Sequence, residues 1–160
     1  MVIQIDTREK ARAIRQILKT FDSQGVKHVT SKLFVGDYMN LDNPKLIVDR
    51  KQNLLEVSTN LCQDHERFRA ELVRAREVGI QLVILVEHGE GIASLEDVIF
   101  WTNPRLATSP KALTGEKLYK IMRTVERKYG ITWVFCEKKE TGNRIIELLK
   151  EKQEDGVFQS

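Results

Sequence analysis

The chain has little cysteine: two in 160 residues, Cys62 and Cys136, far apart and in no C-x-x-C arrangement. That excludes a disulfide framework and fits free or buried thiols in a reducing compartment. Cys62 and His65 have a ligand-like spacing, but two donors without partners make no zinc site. Long apolar runs are missing as well. No stretch approaches the ~18 residues of a membrane-spanning helix. Met1 runs directly into the strand-like Val2-Ile3-Gln4-Ile5 with no basic and apolar leader, so no secretory signal is expected. An excess of one charge is also absent, since 26 basic and 23 acidic side chains leave only +3. This permits nucleic-acid binding without arguing for it. Neither an internal repeat nor a low-complexity segment is present. The expectation is a soluble, cytoplasmic protein with no membrane partner, forming one domain over 1–160 with a single core.

What is present is ordinary globular composition, 41% hydrophobic and 31% charged, arranged in readable periods. After the first strand, Ala11, Ile14, Ile17, Leu18 and Phe21 recur at helical spacing, with Gly25 as stop. Asp6 and Glu9 are spaced as a capping box for that helix. Val26 to Phe34 alternates as a strand. Residues 38–41 and 45–51 read as a hairpin around Asp42-Asn43-Pro44. Asn53 can cap a helix to about Leu61, with Glu56 at its N3 position. Asp64 then caps a second helix, Glu66 to Val78, whose apolar stripe is Phe68, Leu72 and Ala75. Ile80 to Val86 is the candidate central strand, buried on both faces. His88 falls in the loop that follows it. Beyond lie a short helix from Ser94, an irregular stretch over 102–110, a helix from Thr114 to Gly130, a strand Ile131 to Cys136, and a last helix from Thr141 to about Gln153. The order β-α-β-β-β-α-α-β predicts an α/β fold, a mixed central sheet flanked by helices.

Two polar stretches carry chemistry. Val48 ends a buried run and gives way to Asp49-Arg50-Lys51 while the strand should still be running. Asp49 and Lys51 are two apart, so both project from one sheet face. Asp37 stands just before the preceding strand, after Gly36, which lets the backbone turn. If those strands pair, two carboxylates and an ammonium converge. The acids suit a hard divalent cation, and the lysine can orient water and neutralise phosphate charge. A solvated strand end is the bland alternative for any D-x-K tripeptide. The linked Gly36-Asp37 argues against it.

Ile5-Asp6-Thr7-Arg8-Glu9-Lys10, Val35-Gly36-Asp37-Tyr38 and Ile47-Val48-Asp49-Arg50-Lys51, in that order over residues 2–88, resemble the XPF-type structure-specific nuclease domain. That family belongs to the PD-(D/E)xK group of restriction-endonuclease-like folds. The resemblance implies a metal-dependent endodeoxyribonuclease acting on flap, fork or branched DNA in repair or recombination, with Mg²⁺ or Mn²⁺ as cofactor. It implies Asp37, Asp49 and Lys51 as catalytic residues, with Asp37, Asp49 and the Arg50 carbonyl as metal ligands. Asp6, Arg8, Glu9, Glu56 and Glu71 are additional candidates near that site. Asp49 stands where the family has Glu, a tolerable exchange. The family's further aspartate would fall at Leu55, one residue before Glu56, so Glu56 is either a displaced ligand or a helix cap. The family's tandem helix-hairpin-helix domain is not evident, and residues 94–153 supply only helices and a strand. A stand-alone form, as in phages, is the expectation.

Rival functions remain open at this level: a catalytically inactive DNA-binding scaffold of the same fold, or an exonuclease or RNA-acting nuclease. A homodimer is a further candidate assembly. DNA contacts are expected from Arg50, Arg67 and Arg74. Arg67, Glu71 and Arg74 form a polar stripe beside the apolar one, whose alternative role is ion pairing along the helix. Arg50, pointing to the opposite sheet face, has a structural role as its alternative.

Overall fold

A computed structural model describes residues 1–150. Six strands form one sheet in the order β2-β1-β3-β4-β5-β6: β1 Val2–Ile5, β2 Lys27–Thr30, β3 Tyr38–Asn40, β4 Asn43–Lys51, β5 Gln81–Glu87 and β6 Thr132–Cys136. β1 runs parallel to β2 and antiparallel to β3, β3 is antiparallel to β4, and β4, β5 and β6 are parallel. The helices are α1 Arg15–Ser23, α2 Leu54–Cys62, α3 His65–Glu77, α4 Gly115–Tyr129 and α5 Thr141–Lys150. This is the mixed sheet flanked by helices that the sequence predicts.

The two sheet faces have separate cores, as period-two alternation requires. Ile47, Leu82, Ile84 and Val86 pack with Leu54, Val57, Phe68, Leu72, Leu118 and Met122 of α2, α3 and α4. Leu46, Val48, Val83 and Leu85 pack on the other face with Ile17, Phe21, Ile145 and Leu149 of α1 and α5. β5 is buried from Leu82 onward, as a parallel strand between two others should be. The stripe Phe68, Leu72, Ala75 is the buried side of α3.

Four local expectations are corrected. α1 begins at Arg15, not near Ala11, and no side chain caps it. Asp6 and Glu9 are no capping box because both carboxylates have long-range partners, described below. β2 stops at Thr30, because beyond Ser31 the chain leaves the ladder and Leu33 N–H donates to Asp6 Oδ1 instead, at 2.7 Å. Asp64 and Ser94 precede helical segments without making a side-chain cap; after Ser94 a 3₁₀ turn, Leu95–Phe100, is tied by Ala93 N–H to Asp97 Oδ2 at 2.9 Å. Asn53 and Thr114 do cap, accepting from Glu56 N–H and Lys117 N–H. Thr141 opens α5, whose expected end near Gln153 lies outside the described residues.

Candidate active site

β4 places its last three residues on alternate faces, and this one strand organises the site. Asp49 and Lys51 share the face of Ile47, under α2 and α3. Arg50 shares the face of Val48. β3 begins at Tyr38, paired with Val48, so Asp37 sits beside the charged end of β4. Asp37 N–H donates to Val48 O at 2.9 Å, and its Oδ2 accepts Arg50 N–H at 2.8 Å. Gly36 makes the approach: its φ is +69°, and a Cβ there would collide with the Ile47 side chain.

A cavity of about 250 Å³ opens at this point, lined by Arg8, Glu9, Asp37, Asp49, Arg50, Lys51, Glu56, Asn60, Asp64, Arg67, Phe68 and Glu71. Asp37, Asp49 and Lys51 are all buried. The Lys51 ammonium stands 3.5 Å from Asp49 Oδ2 and 5.1 Å from the centre of the Phe68 ring. That leaves Asp49 Oδ2 buried without a hydrogen bond among the described residues. Burial, and then the charge of Asp49, hold the Asp37 carboxyl well above the usual carboxylate range. Glu71 is raised for the same two reasons, partly offset by Gly36 N–H, which donates to its Oε1 at 3.0 Å. Burial alone would lower Lys51, but the surrounding charges of Asp49, Glu71 and Glu56 outweigh it and raise its pKa.

Crowded carboxylates with an orphaned buried oxygen fit a hard cation. The Arg50 carbonyl also fits, since N–H and C=O of one strand residue leave on the same flank and its N–H faces Asp37. Among the described residues no group of three or more His, Cys, Asp or Glu side chains is placed to hold a metal ion. A cation here would therefore rest on the two aspartates and a backbone carbonyl, with water completing its shell.

The additional candidates divide. Glu71 and Arg8 line the cavity. Glu56 lines it too, but its Oε2 accepts Gln52 N–H at 2.9 Å while its own N–H donates to Asn53, so the helix cap holds this carboxylate. Asp6 does not reach the cavity. It accepts from Leu33 N–H, Arg8 N–H and Arg8 Nε, the last at 2.6 Å, and these bonds outweigh burial to lower its pKa. Glu9 takes Arg50 Nε at 2.7 Å and Tyr38 Oη at 2.6 Å.

Arg50 as a DNA contact is corrected. Its guanidinium is buried between Glu9 and Glu87 and donates to them from all three of its nitrogens. Glu87 in turn accepts from Thr141 Oγ1 at 2.7 Å. Arg67 and Arg74 are exposed, and among the described residues neither forms an ion pair along α3.

Asn60, Asp64 and Glu87 were not anticipated as site residues. Asn60 Oδ1 is buried with no hydrogen bond among the described residues. Glu56 and Asn60 on α2, then Asp64, Arg67 and Glu71 leading into α3, recur at i, i+4 and i, i+3, i+7, a polar stripe that periodicity could have found. Glu87 follows an apolar run as Asp49 does, and that repetition was its signal.

Paired acids and a lysine stand at the end of a mixed sheet's inner strands, under two helices, in an α/β domain. The chain belongs to the ERCC4 domain family, whose model matches residues 5–149. No curated protein matches it. Among solved structures it is similar to XPF from Aeropyrum pernix, with a TM-score of 0.64 and 22% identity over 94% of this chain and 64% of that one. The same protein in complex with DNA gives 0.62 and 23%, over 93% of this chain and 63% of that one. The chain therefore spans under two thirds of those structures, and at such identity the likeness establishes the fold.

Proposed function

We propose that the protein is a divalent-metal-dependent endodeoxyribonuclease that hydrolyses phosphodiester bonds in flap, fork or otherwise branched DNA. The observation that carries this reading is Asp49 Oδ2, a buried oxygen without a hydrogen bond, beside Lys51 and in the carboxylate whose charge raises Asp37. Family membership and the DNA-bound state of the Aeropyrum pernix structure support the substrate class.

Asp37, Asp49 and the Arg50 carbonyl would hold Mg²⁺ or Mn²⁺, which when bound supplies Lewis-acid polarisation of the phosphate and a more acidic attacking water. Lys51 has a fixed position between Asp49 and the Phe68 ring. From there its ammonium orients the water and balances negative charge as the phosphate becomes pentacoordinate. Water oxygen bonds to phosphorus, the bond to the leaving oxygen breaks, and that oxygen takes up a proton. Arg50 touches no substrate. Its pairing with Glu9 and Glu87 holds β4 in place from behind, making it a positioning residue.

Labelled flap, fork, junction, linear and single-stranded DNA, incubated with Mg²⁺ or Mn²⁺, test the proposal, with Lys51→Ala as control. Metal-dependent internal cuts near a branch, absent in the variant, are expected. Cleavage of no substrate would return the chain to the reading of an inactive DNA-binding scaffold. Cuts confined to free ends would make it an exonuclease.

A further inference from the structure

A second cavity adjoins the acidic one, with Arg8 in the wall of both. It measures about 320 Å³ and is lined by Asp6, Thr7, Arg8, Lys32, Leu33, Phe34 and Arg74. Its electrostatics are opposite to those of its neighbour. Three cations line it against one carboxylate, and that carboxylate, Asp6, is already bonded to Arg8 and to Leu33 N–H. Lys32 and Arg74 have no acidic partner among the described residues.

Phe34 is the unusual member. It is 58% exposed between Leu33 at 6% and Val35 at 0%, and the guanidinium of Arg74 lies 6.0 Å from its ring centre. The segment between β2 and β3 is pinned on both sides of it. Asp6 holds Leu33 N–H, and Gly36 N–H donates to Glu71 while its carbonyl accepts from Arg8 at 3.1 Å. With both neighbours turned into the protein, Phe34 must face water. A large apolar ring held more than half exposed is pre-organised for a flat partner, which lowers the entropic cost of stacking. Cations that track a backbone beside an aromatic platform are how proteins grip unpaired nucleic-acid strands.

We infer that this groove is a subsite for an unpaired DNA strand next to the scissile phosphate, with a base stacked on Phe34 and its flanking phosphates held by Arg8, Lys32 and Arg74. The inference rests on the endonuclease reading and deepens it. The acidic cavity takes the cation and the phosphate to be cut, and the basic one distinguishes a branched substrate from a continuous duplex.

Fluorescence anisotropy of labelled DNA in Ca²⁺ tests the subsite without cleavage. One probe is a plain duplex and the other the same duplex with an unpaired deoxythymidine arm. Phe34→Ala should weaken binding to the armed probe about tenfold and change the duplex by less than about twofold, while Phe34→Trp keeps wild-type affinity for the arm. Equal weakening of both probes, or of neither, overturns the subsite. Because the readout is binding, a protein that cuts nothing would overturn the nuclease reading alone and leave the arm-to-duplex ratio to be judged. Normal cutting with an unchanged ratio would overturn only the subsite.

Discussion

The backbone N–H of Arg50 donates to Asp37 Oδ2 at 2.8 Å, so the strand that presents Asp49 and Lys51 also aims the second acid. A change in β4 therefore moves three groups together, and single substitutions there should behave as losses of one unit.

Asp49→Asn keeps the shape of the side chain and removes its charge. Cleavage should be lost with the fold intact, and the heat of Mn²⁺ binding should disappear from a calorimetric titration. Near wild-type cutting by this variant would refute the metal-ligand assignment.

Acid pH should relieve the apo protein. The Asp37 carboxyl is raised above its ordinary 3.8 and Glu71 above 4.5, so in each case the folded protein holds a proton that the unfolded chain has already released. Their contribution to stability is complete below those ordinary values and is lost as pH rises through the higher folded ones. Asp37→Asn should therefore raise the thermal midpoint at pH 7.5, with the gain shrinking toward pH 4. Divalent cation should raise the midpoint of the parent and not of the variant. A variant less stable than the parent at neutral pH contradicts this.

Arg67 and Arg74 stand seven residues apart on α3, one lining the acidic cavity and the other the basic groove. Replacing both with alanine should weaken binding to all DNA sequences alike and flatten the slope of log affinity against log salt by about two units. The measurement is a salt titration in Ca²⁺. An unchanged slope would mean that these arginines face only solvent.

Behind the site, Arg50→Ala leaves Glu9 and Glu87 buried without their shared cation and should destabilise the fold by about 3–5 kcal/mol in urea unfolding. Glu56→Gln is the contrast. An amide oxygen can still accept Gln52 N–H, so the melting temperature should hold, and cleavage should persist where Asp49→Asn abolishes it. A dead but fully folded Glu56→Gln would restore Glu56 as a ligand.

The sequence disclosed what depends on neighbours in the chain. Alternation put Asp49 and Lys51 on one face and Arg50 on the other, and helical spacing identified Phe68, Leu72 and Ala75. Asp6 and Glu9 misled for the same reason. Locally they form a capping box, but Asp6 bonds Leu33 N–H, 27 residues away, and Glu9 bonds Arg50, 41 away. Buried charge-assisted bonds of that kind outweigh a cap of about 1 kcal/mol, and nothing in a local window announces them. The basic groove was hidden similarly, since Lys32, Phe34 and Arg74 meet only after the chain folds.

β4 lies in the interior of the sheet, between β3 and β5. Fraying from an edge cannot release it, so the segment bearing Asp49 and Lys51 belongs to the part of the molecule that opens last. Amide exchange at residues 47–50 should then report global unfolding. Asp49 and Lys51 are thereby held for as long as the fold itself lasts, and Asp37, bonded to Val48 O and Arg50 N–H of the same strand, is held with them.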